Sequence, residues 1–217
     1  MGKMQDKITI RNAREQDLNE IVELENEIWP EGTRATRDKF ESRLKIFQQG
    51  FFLAYKNGKI IGASTSEKID YYPSNPPTSW EKITDNGYIR ATYSPEGNAI
   101  YVVSIGAKSR SGGGSALVQE QKKLVEKLSL KYLVLGARIP GYDDYIAKNR
   151  DIPIEEYVQL KREDGELFDS ELRFYTRNGL ALIKILPNYM EDDKESRNYG
   201  AIMVWKNQNQ EIQNQNP

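Results

Sequence analysis

Val102-Val103-Ser104-Ile105-Gly106-Ala107-Lys108-Ser109-Arg110-Ser111-Gly112-Gly113-Gly114-Ser115-Ala116-Leu117-Val118 is the stretch on which the fold turns. Its first residues form an apolar run of the kind found in a buried strand. A short basic turn with three successive glycines follows, and then the first turn of an amphipathic helix. Such a strand–turn–helix aims unpaired backbone N–H groups and the positive end of a helix at one spot, which makes an anion site. Glycines let the main chain approach a phosphate closely, and Lys108 and Arg110 add positive charge beside it. The pattern predicts a cradle for a diphosphate.

Two familiar phosphate loops do not fit. A P-loop requires a Lys directly after its last glycine, and none is present. In a dinucleotide fingerprint Gly112 and Gly114 supply the first two glycines, but Leu117 occupies the place of the third. What remains is Arg110-x-x-Gly113-x-Ser115. This resembles the coenzyme A pyrophosphate loop of the GNAT superfamily of acetyl-CoA-dependent N-acyltransferases, with Ser115 where that family favours Gly or Ala and Ala107 where it often has Pro. The reading that competes with it is a tight turn whose glycines serve packing alone.

Working outward from the loop, Leu117, Val118, Leu124, Val125 and Leu128 give a helical stripe, and Tyr132 to Leu135 a short apolar strand. Upstream, Lys7 to Arg11 alternates like a first strand, Asp17 opens a helix that stops at Pro30, and Arg37 to Gln48 makes a second helix. Phe51 to Tyr55 and Lys59 to Ser66 form a hairpin through Asn57-Gly58. Asp70 to Asn98 is an aromatic-rich insertion with one short helix near Ser79 to Thr84. The chain returns to the sheet at Ala99 to Ile105. Ala137 to Gly165 is a second irregular stretch with a helix around Ile154 to Leu160. Asp169-Ser170 caps a further helix ending at Asn178-Gly179. Ala181 to Leu186 and Ala201 to Trp205 close the sheet as an antiparallel pair, with an exposed edge near Trp205.

Phe174-Tyr175-Thr176-Arg177-Asn178-Gly179-Leu180 resembles a second GNAT signature, and it follows the glycine loop in the family's order. Arg138-Ile139-Pro140-Gly141-Tyr142 with Tyr145, Tyr157, Asp169 and Tyr199-Gly200 resembles a subgroup that includes GNAT domains fused to nitrilase-type hydrolases. The resemblance spans Ile8 to Trp205. It implies an α/β fold: a mixed sheet of six or seven strands, helices on both faces, splayed at the two central strands. One domain is expected over 1–206, elaborated at 67–98 and 137–168, with a flexible polar tail at 207–217.

The 217 residues carry a net charge of −1 and contain neither Cys nor His. That excludes disulfides, Cys/His zinc sites, thiol nucleophiles and His-based triads together. No apolar run reaches the roughly 20 residues that span a bilayer. The expectation is a cytoplasmic protein, monomer or homodimer, that binds neither nucleic acid nor membrane.

The resemblance implies direct attack of an amine, small or peptidic, on an acetyl or short acyl thioester of coenzyme A, with no metal. Ile105, Ala107, Arg110, Ser111, Gly112, Gly113, Gly114 and Ser115 would hold acetyl-CoA, and Tyr175 would donate to the departing thiolate. The strand before the loop has Tyr101 and Ser104 where many relatives place a Glu. Glu25, Asp143 and Asp144 are the acids considered for a base, each read first as structural or solvated, and no base is assigned. The alternative is a degenerate GNAT domain that binds CoA or acyl-CoA as a sensor or partner module.

Overall fold

Residues 7–209 are described in a computed structural model. The N-terminal strand β1 (Thr9–Asn12) leads through helices α1 (Leu18–Ile28) and α2 (Arg37–Phe47) to the hairpin β2 (Phe52–Lys56) and β3 (Lys59–Ile69). Its turn residues Asn57 and Gly58 take φ of 52° and 74°, the positive-φ pair that a two-residue hairpin demands. Helix α3 (Trp80–Thr84) interrupts the first insertion, and β4 (Ala99–Ala107), α4 (Gly113–Lys127) and β5 (Tyr132–Ala137) follow. The remaining elements are α5 (Tyr142–Lys148), α6 (Ile154–Tyr157), α7 (Ser170–Arg177), β6 (Ala181–Leu186) and β7 (Gly200–Lys206).

The strands make one seven-stranded sheet in the order β1-β2-β3-β4-β5-β7-β6. All neighbours are antiparallel except β4 and β5, which α4 connects in parallel. Helices cover both faces, as alternation along the strands requires. Leu53 and Ile60 pack with Leu18, Ile21 and Leu24 of α1 and Phe40 of α2. Phe52, Ala54 and Ile61 share the larger core with Leu117, Val118, Leu124 and Val125 of α4.

Three expectations are corrected. Trp205 does not lie on an edge strand: β7 is inserted between β5 and β6, so the sheet's edges are β1 and β6. The second irregular stretch contains the additional helix α5, begun after Pro140-Gly141 and seated by Tyr142, whose ring packs on Tyr157 and Tyr199. Asn207 does not belong to a loose tail. It is buried, its side chain donates to the Leu130 carbonyl at 2.9 Å, and its N–H donates to Lys131 at 2.9 Å. Residues 210–217 of the expected tail lie outside the described residues.

Candidate functional site

Two cavities open along the line where β4 and β5 part. These strands pair only at Ala99–Tyr101 with Tyr132–Val134, after which β5 continues against β7 and β4 runs on alone beside β3. A β-bulge assists the parting: Thr65 faces Ser104 and Ser66 faces Val102, leaving Val103 without a partner. The carbonyl of Val103 accepts instead from the indole Nε1 of Trp80 at 2.9 Å. The insertion helix α3 thus caps a main-chain group that the splay exposes, as burial of such a group demands.

The first cavity, of about 380 Å³, is walled by residues 105–112, Gly114 and Ser115, with Trp29, Glu171, Phe174 and Tyr175. Arg110 and Gly112 take φ of 57° and 82°, turning the chain sharply into α4. Of the six amides from Arg110 to Ser115, Ser111 donates to the Lys108 carbonyl at 3.2 Å and Gly113 to the Ser111 hydroxyl at 3.1 Å. Those of Arg110, Gly112, Gly114 and Ser115 have no acceptor among the described residues. Four free donors at a helix N-terminus fit a diphosphate. Arg110 has no ion-pair partner among the described residues, whereas Lys108 is held by Glu27 at 2.7 Å.

Seven of the eight predicted cofactor residues line this cavity; Gly113 does not. It is buried at the start of α4, where a Cβ would meet Ile61 at 3.2 Å, so it serves close packing of α4 on β3. The two sequence landmarks touch each other. Phe174 packs against Gly114, and the Asn178 amide donates to the Ser115 hydroxyl at 3.2 Å.

The second cavity, of about 240 Å³, lies between α1, α2, α3 and α7 and is lined also by β4 and β5 where they part. Trp29, Ile105, Glu171 and Tyr175 line both cavities and so mark their junction. Glu171 and Tyr175 are one turn apart on α7 and share a face. Asp169 caps that helix, accepting from the N–H groups of Glu171 and Leu172 at 3.0 Å each and from Gly141 at 3.2 Å. This fixes where α7 begins, and hence which side chains face the junction.

Burial raises the Glu171 carboxyl to about 8, with Asp169 and Asp193 pushing the same way and Arg138 opposing. Burial, then the nearby Glu171, holds the Tyr175 phenol far above its usual range, so it stays protonated. Arg138 pairs with Asp193 at 2.5 Å and Glu195 at 2.6 Å.

Sequence reasoning did not single out Glu171, although its i,i+4 spacing from Tyr175 was available as a signal. Of the acids it considered, Asp143 pairs with Arg197 and Asp144 with Lys148, both exposed and outside the two cavities. Glu25 does not reach bulk water as expected. It is buried, accepts from the Ala35 N–H at 2.8 Å and lines the second cavity, with burial raising its carboxyl above the usual range. Of the insertion aromatics, Trp80 enters the cavity, while Tyr71 stacks on Tyr132 and Tyr72 is exposed.

A mixed sheet parted beside a glycine-rich helix start, with a tyrosine helix across the gap, defines the GNAT fold. No family model matches the chain. It is 35% identical over 213 residues to an uncharacterized N-acetyltransferase, YkwB, of Bacillus subtilis strain 168, covering 95% of this chain and 92% of that protein. It is 32% identical over 211 residues to a probable hydrolase, YhcX, of the same organism, covering 95% of this chain but 40% of that longer protein. Among solved structures, the loading GNATL domain of CurA from Lyngbya majuscula superposes with a TM-score of 0.78 at 22% identity, over 92% of this chain and 98% of that one. The GphF GNAT-like decarboxylase in complex with isobutyryl-CoA gives 0.77 at 23%, over 91% and 98%. The chain belongs to the GNAT superfamily of N-acyltransferases.

Among the described residues no helix is long and apolar enough to cross a membrane, and no group of His, Cys, Asp or Glu is arranged to hold a metal.

Proposed function

We propose that this chain transfers an acetyl or short acyl group from coenzyme A to a primary amine in a ternary complex. The observation that carries the reading is the shared wall: Glu171 and Tyr175 stand where a cavity rimmed by free loop amides meets a second, side-chain-lined cavity. Acyl-CoA would supply an activated thioester, its diphosphate held by the amides of Arg110, Gly112, Gly114 and Ser115 and by the Arg110 side chain. The pantetheine would run past Ala107 and Ile105 along the unpaired edge of β4.

An acceptor amine arrives largely protonated and must lose a proton to become a nucleophile. Glu171 is the base: a carboxyl raised to about 8 is matched to proton abstraction near neutral pH. Tyr175, neutral throughout the working range, donates a hydrogen bond to the sulfur as the thiolate leaves, and the second proton shed by the nitrogen as the amide forms passes to that thiolate. The Ile105 N–H polarises the thioester carbonyl. No acyl-enzyme is required, in keeping with a chain that has no Cys.

Calorimetry with CoA and a thiol-release assay over an amine library test the proposal together. Binding with turnover is expected, and Tyr175→Phe should lower kcat about 100-fold while leaving CoA affinity within a factor of two. CoA binding with no thiol release from any amine would favour the sensor alternative, and no CoA binding would remove both.

A further inference from the structure

Arg43 is a cation buried without an anion bonded to it. It is 1% exposed, the largest fully buried side chain, and it lines the acceptor cavity from α2. Its Nε donates to the Gly87 carbonyl at 2.7 Å, and its Nη1 to the Thr65 and Ser104 hydroxyls at 3.1 and 3.2 Å. Every one of these acceptors is neutral. Its Nη2 has no hydrogen-bond partner among the described residues. A buried guanidinium ordinarily forms a bonded ion pair, because an unpaired charge in a low-dielectric interior is costly. Gly87, at φ 84°, leaves the space it needs: a Cβ there would lie 2.6 Å from Nη2.

Two carboxyl groups lie near Arg43 without bonding to it. Glu25 and Glu67 are near enough to be felt, yet burial raises both carboxyls, Glu67 to about 8, and neither is bonded to Arg43. Desolvation lowers Arg43 itself to about 10. Two more cations line the same wall. Arg34 donates through Nε to the Trp29 carbonyl at 2.8 Å, and Lys39 lies 5.6 Å above the Tyr88 ring. Neither forms an ion pair among the described residues. Glu171 stands at the junction, and Glu25, Glu81 and Glu191 also line the cavity.

We propose that the floor of the acceptor cavity is a carboxylate subsite built on Arg43 with Lys39 and Arg34, so that the acceptor is a small amine that also bears a carboxylate. The inference deepens the transferase reading and rests on it for the amine end alone. A ligand carboxylate would give Arg43 the anion it lacks, while the amine at the other end reaches Glu171. In a cavity of about 240 Å³ this favours an amino-acid-sized molecule over a long peptide.

The test pairs α-amino acids and ω-amino acids of two to six carbons with their carboxamides. Binding to the CoA-loaded and CoA-free protein is followed by calorimetry and by Trp29 and Trp80 fluorescence, and thiol release is measured in parallel. The best free acid should bind at least tenfold more tightly than its amide. Arg43→Gln should abolish that ratio. Lys39→Gln, at a half-buried rather than a core position, should reduce it to about threefold and remains informative if Arg43→Gln fails to fold.

Equal binding of acids and amides, or no binding by any member, overturns the subsite. If CoA binds and amides are acylated as well as acids, the transferase reading stands and this inference falls. If acids are preferred in binding but no thiol is released, the subsite stands and the transferase reading falls. A preference for malonyl-CoA over acetyl-CoA that Lys39→Gln erases, without acid–amide discrimination, assigns the carboxylate to the acyl group and overturns the acceptor assignment.

Discussion

The two cavities that meet at Tyr175 are built from different materials. The loop cavity is made of main chain: free amides, positive φ at Arg110 and Gly112, and a helix end. The second cavity, proposed above to take the acceptor, is walled largely by side chains from α1, α2, α3 and α7 with the parted ends of β4 and β5, elements spread along most of the chain. A diphosphate is the same in every acyl-CoA, so a backbone cradle suffices and its geometry is encoded locally. An acceptor varies from enzyme to enzyme, and side chains brought from afar can vary with it.

The comparison breaks most visibly at Glu171. Glu171→Gln should lower kcat about 1,000-fold and leave CoA affinity within about threefold, because the loop amides proposed to hold the diphosphate are untouched. In the wild type, kcat/KM should fall as pH drops through about 8; the variant should lose that limb and keep only the amine's own titration. Stability should move the other way. The folded carboxyl is raised above its unfolded value, so its contribution is fully present below about pH 4.5 and is lost as pH rises through about 8. Glu171→Gln should therefore melt no lower than wild type at pH 9, a comparison that separates a lost base from a damaged fold.

A smaller effect is expected on the main-chain side. Gly112→Val places a β-branched residue at φ 82°, with a strain of roughly 1–2 kcal/mol. CoA affinity should weaken about tenfold, measured by calorimetry, with kcat at saturation little changed. An equal loss in kcat would mean that the two cavities are not separable.

The smallest effect belongs to Trp80→Phe. The ring is largely kept, but the Nε1 bond to the Val103 carbonyl is lost, at about 1 kcal/mol. A melting point lower by about 2–4 °C should accompany it. An unchanged melting point would mean that the bulge at Val103 holds the splay open without the indole.

Much of this fold is written in local sequence. The hairpin at Asn57-Gly58, the cap at Asp169, the helix starting at Gly113 and the apolar run of β4 each follow from residues within a few positions of one another. The same holds for the loop cavity, apart from Gly113, whose packing role depends on Ile61 of β3. The placing of β7 between β5 and β6 was hidden, because β5 finds β7 across 64 to 74 residues of chain, from Ala137 with Ala201 to Tyr132 with Lys206. Helix α5 was hidden too, since seven residues after a Pro-Gly are marginal without the Tyr142–Tyr157 packing that holds them.

On its own the sequence determined the strand–glycine turn–helix, the order of its two landmarks and the absence of thiol and imidazole chemistry, all consequences of short-range sterics and of composition. Tertiary structure alone decided that the helix face shared by Glu171 and Tyr175 lies where the two cavities meet, that Glu25 is shut away from water, and that Arg43 is buried beside neutral acceptors. Burial sets the charge state of such groups, and burial is a property of what the rest of the chain packs around them.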